Sequence, residues 1–141
     1  MKALTIWQPW ATLIIEGFKP REFRPWAAPP SIVGHRIVLH AAVRPIKATE
    51  LQAIIEYVCS AAGVADGIDP RAMDLLERAW MRTLDLPLAA GLGTAQLGTP
   101  RIVGTSDGGK STWAWPMIDV EKWPTPVPAK GAQGFWEWKG N

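Results

Sequence analysis

"IEGFKPREFRPW", residues 15–26, places three basic residues and Glu22 between Phe18 and Trp26, directly after an apolar run. The apolar run, residues 9–17, is typical of a helix, with proline in its first turn and glycine just past its end. Prolines bound residues 21–26, which are predicted to be an extended strand. Because side chains alternate along a strand, Glu22 and Arg24 are expected on one face. The sequence therefore predicts a helix that leads into a strand carrying a charged pair.

Outside this stretch, the sequence predicts strands towards both ends and helices in the middle. The predicted strands cover residues 2–7, 35–42, 90–104, 111–120 and 134–138. The predicted helices cover residues 48–58 and begin again at 69–76, with residues 61–69 as a flexible link between them. "SDGGKST", residues 106–112, lacks the context of a phosphate-binding loop and is expected to be a hairpin turn.

This order of elements predicts an α+β fold with a small mixed β-barrel, in which the first and last strands are neighbours. At 141 residues, the chain fits a single domain covering residues 1–141, with a helical insertion at about residues 46–85. The 48% hydrophobic content is ordinary for a globular protein. We expect one domain with peripheral helices.

Composition excludes several classes of protein. The single cysteine, Cys59, cannot form an internal disulfide or a cysteine metal cluster, and it is expected to be buried on a helix. With only two histidines, neither a metal nor another cofactor is expected. No apolar run approaches the roughly 20 residues of a membrane span, and no secretory signal is recognised. We expect a cytoplasmic protein without a membrane partner.

The basic charge is concentrated near the front of the chain. Residues 1–45 carry six Lys or Arg against two Glu, and residues 46–141 carry nine against eleven Asp or Glu. This asymmetry favours an anion-attracting face, although a difference of this size also occurs in proteins that bind no polyanion.

Tryptophan is the other unusual feature, with nine residues against one tyrosine and three phenylalanines. Most are expected to pack in the core, and one to three near Trp10 or Trp26 are expected to line a ligand site, since indoles stack on bases. Trp7, Gln8 and Trp10 cluster at the helix start, where an exposed amide can bind a base edge. The alternative is that both tryptophans fasten the helix to the sheet.

Two groups of residues carry a resemblance to a known family. The first is "LTIWQPWATLIIEGFKPREFRPW", residues 4–26, followed by "GHRIVLHAA", residues 34–42. The second is the tail "PAKGAQGFW", residues 128–136. Together they resemble the ASCH domain, a member of the PUA-like superfamily. The resemblance covers roughly residues 1–45 and 86–138 and leaves the helical insertion uncovered.

The resemblance implies a β-barrel with a cleft facing Lys19, in a superfamily associated with RNA binding, modified-base recognition and, in some members, hydrolysis. A solvated surface lysine is the alternative for Lys19, and a plain ion pair on the sheet is the alternative for Glu22 and Arg24. If Lys19 is partly buried, its pKa falls and it can act as a base. The candidate catalytic residues are Lys19, Glu22 and Arg24. The candidate base-binding residues are Trp7, Gln8, Trp10, Trp26, His40 and Lys130, although His40 also fits a hydrogen-bonded core histidine.

Three functions remain open. The first is a module that binds RNA or a modified nucleobase. The second is a small hydrolase, similar to the ASCH-like amidohydrolases of N4-acetylcytidine or to members linked to ribonuclease activity. This chain has Glu22 where those amidohydrolases carry a threonine, so a hydroxyl nucleophile is lost, and Lys19 with Glu22 would activate water instead. The third is a protein partner bound through a tryptophan-rich surface.

Overall fold

Residues 1–140, which the computed structural model describes, form seven strands and four helices. The strands are β1 (Lys2–Ile6), β2 (Arg21–Arg24), β3 (Arg36–Ala41), β4 (Ala90–Leu97), β5 (Arg101–Thr105), β6 (Ser111–Pro128) and β7 (Phe135–Glu137). The helices are α1 (Trp10–Ile15), α2 (Ala48–Cys59), α3 (Ala61–Ala65) and α4 (Ala72–Trp80). The predicted α+β class and the helical middle of the chain are confirmed.

The strands form one mixed sheet in the order β2-β6-β4-β3-β1-β7, with β5 paired to β6 beside this path. β1 runs parallel to β3, and the other pairings are antiparallel. The predicted pairing of the first and last strands is confirmed, with Lys2 opposite Glu137. Within residues 1–140, β2 and β7 end the order and do not pair with each other, so backbone hydrogen bonds do not close the sheet. A closed barrel stays a prediction.

Side chains nevertheless join the two ends of this open sheet. The ring of Trp115 in β6 stacks on Phe135 in β7, with centroids 5.7 Å apart and planes 9° from parallel. Arg24 in β2 donates from Nη2 to the carbonyl oxygen of Thr5 in β1 over 3.0 Å. The sheet therefore curves until β2 and β6 approach β1 and β7, and side chains span the gap that hydrogen-bonded pairing leaves.

Two apolar clusters hold the elements together. The larger lies between the sheet and α1, and includes Leu39, Leu97 and Trp115. The smaller joins Leu13 of α1 to α2 and α4 through residues such as Leu76. Because α1 contributes to both clusters, it connects the helical insertion to the sheet.

Local structure corrects two of the sequence predictions. Residues 61–65, expected to be part of a flexible link, form α3, since the Ser60 hydroxyl accepts from the backbone amide of Gly63 over 3.3 Å and caps this short helix. Cys59, expected to be buried, is exposed.

The hairpin turn between β5 and β6 is confirmed by a 2.7 Å hydrogen bond from the Ser106 amide to the Lys110 carbonyl. None of the helices in residues 1–140 combines the length and apolar character needed to cross a membrane.

Candidate functional site

A cleft of about 1750 Å³ brings together residues from both ends of the chain and from the helical insertion. β1 and β2 supply its floor, α1 and α2 one side, and the loop between β6 and β7 the other. Its lining includes Thr5, Trp7, Trp10, Lys19, Glu22, Phe23, Arg24, Trp26, His40, Arg44, Tyr57 and residues 128–134. Both groups of residues that suggested a family in the sequence therefore meet in one place.

Lys19 lies in the floor of this cleft and is only 4% exposed. The turn that ends α1 places it there, since its backbone amide donates to the Leu13 carbonyl over 3.0 Å. Its Nζ is 3.3 Å from Glu22 Oε1 and lies 5.0 Å and 4.9 Å from the ring centroids of Trp10 and Phe23. The solvated alternative for Lys19 is therefore wrong, because aromatic faces and a carboxylate surround its ammonium.

Glu22 is the centre of the charged floor. Its Oε1 accepts from Lys19 Nζ and from the backbone amide of Phe23, the latter over 3.2 Å. Its Oε2 accepts from Arg24 Nε over 3.1 Å. Arg24 is in turn fixed by its bond to the Thr5 carbonyl. The Glu22–Arg24 ion pair that the sequence left open as an alternative is present, and the same carboxylate also forms an ion pair with Lys19.

Burial lowers the pKa of Lys19 below its ordinary value of 10.5, because desolvation of the ammonium outweighs the attraction of Glu22. In the pH range between this lowered pKa and 10.5, the unfolded chain binds more protons than the native one at this residue. The free energy of unfolding is therefore highest, as far as Lys19 is concerned, above pH 10.5, where the amine is neutral in both states. It decreases as the pH falls through the folded pKa. Below the folded pKa, the fold sustains the full cost of a buried ammonium.

Two exposed indoles form part of the rim. Trp7 is 57% exposed and Trp26 is 55% exposed. The guanidinium of Arg44 lies 4.3 Å from the Trp7 ring centroid and is held there by Glu50, whose Oε2 accepts from Arg44 Nη2 over 2.6 Å. This hydrogen bond lowers the pKa of Glu50. The Trp7 ring is thereby braced on one face, in the manner of a stacking platform.

The remaining predicted residues divide between the cleft and the core. Lys130 is exposed and lies on the loop that forms one wall. Trp10 is half-buried and packs against both apolar clusters, which confirms its packing role. It also lines the cleft, and a role in base binding stays a prediction. The expectation that Gln8 exposes its amide is wrong, since this residue is only 3% exposed. Its amide donates to Thr12 Oγ1 and to the Pro87 carbonyl over 2.7 Å and 2.9 Å, and accepts from the Thr12 backbone amide.

His40 lies beneath the cleft wall and is 1% exposed. Its Nε2 is 2.7 Å from the Ala129 carbonyl oxygen, and its Nδ1 is 3.1 Å from Thr5 Oγ1. Burial lowers its pKa below 6.5 against the opposing effect of the bond to Ala129. The hydrogen-bonded core histidine is therefore confirmed, and because the ring also lines the cleft, base binding by His40 stays a prediction.

Sequence reasoning missed several residues that complete the cleft. Arg44 lies between β3 and α2, just past the motif at residues 34–42, and Tyr57 lies in α2, for which the family resemblance gave no motif. Thr5 lies in a strand whose pattern indicated only a buried segment. The position of Arg44 in a loop close behind a predicted strand was the one available signal, because binding residues are found disproportionately on loops that a rigid scaffold positions.

Among residues 1–140, no three His, Cys, Asp or Glu side chains are grouped so that they could hold a metal ion. Neither a protein-family model nor a curated protein sequence matches the chain. The cleft and the residues that line it are therefore the features that indicate a function.

Proposed function

We propose that this protein binds single-stranded RNA or a modified nucleobase in the cleft above Lys19, Glu22 and Arg24. The observation that carries the proposal is the presence of two exposed indoles, Trp7 and Trp26, on the rim of a cleft with a buried charged floor. Large apolar side chains are costly to expose, and stacking on a base is a common use for them.

The polar groups of the cleft also suit a nucleobase. Both carboxylate oxygens of Glu22 are occupied by cations, so the floor offers N–H donors from Arg24 and Lys19 more readily than acceptors. Base carbonyl and ring nitrogen atoms accept such donors. At the rim, exposed Lys130 is placed to attract a phosphate. The site therefore favours a planar ligand that carries hydrogen-bond acceptors and negative charge outside the ring.

A PUA-like fold of the ASCH type is part of the same proposal. It is supported by the pairing of the first and last strands and by the convergence of residues 4–26 and 128–136 on one cleft. We further propose a cytoplasmic location, since the exposed Cys59 thiol suits a reducing compartment. A protein partner on a tryptophan-rich surface is a weaker alternative, because three of the indoles line this cleft.

The test is titration of the protein with a short fluorescently labelled single-stranded RNA and, separately, with N4-acetylcytidine. We expect Trp26→Ala to weaken binding of the RNA by about 5- to 150-fold, the loss of one base–aromatic stack at about 1–3 kcal/mol. Trp80→Ala is the matched control, since Trp80 is 50% exposed but lies outside the cleft lining. Equal affinities of the two variants would contradict a stacking role for Trp26.

Lys130→Ala separates charge from stacking in the same titration. It is expected to reduce the salt dependence of RNA binding by about one counterion, because one phosphate contact is removed. Lys110→Ala, an exposed lysine in the hairpin turn outside the cleft, serves as its control. If neither RNA nor N4-acetylcytidine binds the native protein, the proposed function fails.

A second candidate function, hydrolysis of an N4-acylated cytidine, is favoured by the 3.3 Å contact between Lys19 and Glu22 in a buried setting. In this reaction, neutral Lys19 or Glu22 takes a proton from water as the water oxygen bonds to the acyl carbon. The proton passes to the exocyclic nitrogen as its bond to the acyl carbon breaks, which yields the free acid and cytidine. Arg24 would stabilise negative charge on the carbonyl oxygen.

For this candidate we expect the native protein to release cytidine from N4-acetylcytidine and Lys19→Met to release none. Chromatography measures the cytidine released. With Lys19 as the base, the rate should rise with pH through its lowered pKa, because the amine must first lose its proton. A rate that is unchanged in Lys19→Met would remove Lys19 from the chemistry, whether or not the nucleoside binds.

A further inference from the structure

The loop between β6 and β7 forms one wall of the cleft and rests on His40, a residue that neither proposed activity uses. Three polar side chains meet beneath this loop. Trp136 Nε1 is 3.0 Å from Thr5 Oγ1, Thr5 Oγ1 is 3.1 Å from His40 Nδ1, and His40 Nε2 is 2.7 Å from the Ala129 carbonyl oxygen. The rings of His40 and Trp136 also meet edge to face, with centroids 5.2 Å apart.

The chemistry of the two outer partners fixes the direction of every bond in this chain of contacts. A carbonyl oxygen only accepts, so His40 Nε2 carries a proton and donates to Ala129. An indole N–H only donates, so Thr5 Oγ1 accepts from Trp136. In a neutral imidazole, Nδ1 is then the acceptor, and the Thr5 hydroxyl donates its own proton to it. The burial that lowers the pKa of His40 agrees with a neutral ring.

The backbone of the loop also lies directly against this group. A Cβ atom added to Gly131 would stand 2.5 Å from His40 Cε1 and 2.8 Å from Thr5 Oγ1, distances that real side chains do not tolerate. The imidazole is held by Thr5 and Trp136 and contacts the loop at two residues, Ala129 and Gly131. The position of the ring sets how closely the loop approaches the sheet.

We propose that His40 is a positioning residue, held by Thr5 and Trp136 as the Nε2–H tautomer, that fixes the loop over residues 129–134 and so sets the width of the cleft. The consequence for ligand affinity depends on the proposed function. The tautomer and the docking of the loop do not, because they follow from contacts within the protein. His40 acts on the ligand through Ala129 and Gly131 rather than by touching it.

The first test needs no variant. NMR of native protein whose histidines are labelled with nitrogen-15, at neutral pH, should show the His40 proton on Nε2 and an unprotonated, hydrogen-bonded Nδ1. A proton on Nδ1 in the neutral ring would overturn the proposal, since the bond to Ala129 would then have no donor.

The second test compares Thr5→Val, which removes the hydroxyl at nearly constant shape, with Thr5→Ser, which keeps it. The backbone amide of Ala129, bonded to the Ala89 carbonyl over 2.9 Å, reports docking of the loop through its hydrogen exchange. We expect exchange at Ala129 to accelerate about two- to tenfold in Thr5→Val, the effect of one hydrogen bond, and to return towards the native rate in Thr5→Ser.

Affinity for the short single-stranded RNA should follow the same order, weaker in Thr5→Val and recovered in Thr5→Ser. If Ala129 exchanges equally in both variants, the positioning role is wrong even where RNA binds. If exchange differs between the variants but RNA does not bind the native protein, the positioning role of His40 stands and the proposed function fails.

Discussion

Glu22→Ala is expected to lower the free energy of unfolding by about 3–5 kcal/mol, the usual cost of removing one partner from a buried charge pair. Glu22 is the carboxylate that joins Lys19 and Arg24, and its side chain is 9% exposed. Without it, the Lys19 ammonium retains only the faces of Trp10 and Phe23, which do not replace a counter-charge. Chemical denaturation in urea, with the slope checked for constancy, measures the loss.

Two further variants separate charge from packing. Glu22→Gln keeps the shape and one acceptor oxygen, so its loss should be smaller than that of Glu22→Ala. Adding Lys19→Met to Glu22→Ala removes the unpaired cation and should recover part of the lost stability. If Lys19→Met lowers the stability of the Glu22→Ala variant as much as it lowers that of the native protein, the two residues are not energetically coupled, and the loss in Glu22→Ala does not come from an unpaired Lys19.

Trp115→Ala is the second large effect, with an expected loss of about 3–5 kcal/mol typical of removing a buried aromatic residue. Trp115 is 1% exposed and stacks on Phe135, so its ring bridges the ends of the sheet. The Arg24 guanidinium lies 5.6 Å from the centroid of the Trp115 ring, and Trp115 Nε1 donates to the Trp26 carbonyl over 2.9 Å. The variant should therefore also weaken binding in the cleft, where Arg24 and Trp26 lose this support.

The control for this prediction is Trp113→Ala in the same strand, since Trp113 is half-buried at the edge of the larger cluster. A smaller loss is expected there because less apolar surface leaves the core. Trp115→Phe retains most of the stacking area and loses the N–H bond to Trp26, which isolates the polar contribution. Equal thermal denaturation midpoints for the two alanine variants would contradict a bridging role for Trp115.

The sequence predicted the parts of the fold that local chemistry controls. The end of α1 follows from Gly17, whose φ of +81° is a conformation that other residues adopt at a cost. The Glu22–Arg24 pair follows from alternation along a short strand, and the Lys19–Glu22 pair lies only three positions apart. These interactions need no knowledge of distant contacts, so the residues alone were enough to indicate them.

The sequence did not predict the environment of those residues. Lys19 is buried because α1 carries the Trp10 ring over its ammonium, and the Trp7–Arg44 stack exists because β1 lies beside β3 in parallel. Gln8 was expected in the site because an amide beside indoles suggests base recognition. Its amide instead satisfies buried groups of Thr12 and Pro87, a requirement that appears only after the chain has folded.

The place of β1 between β3 and β7 has a consequence for biosynthesis. Thr5 and Trp136 are separated by 131 positions, so one edge of β1 stays unpaired until nearly all of this sequence has left the ribosome. The floor of the cleft is translated early, and the loop that forms its opposite wall is translated after β6. A nascent chain with its first strand exposed for this long presents an open edge on which other strands can pair. Chaperone occupancy on translating ribosomes should therefore fall only when β7 emerges.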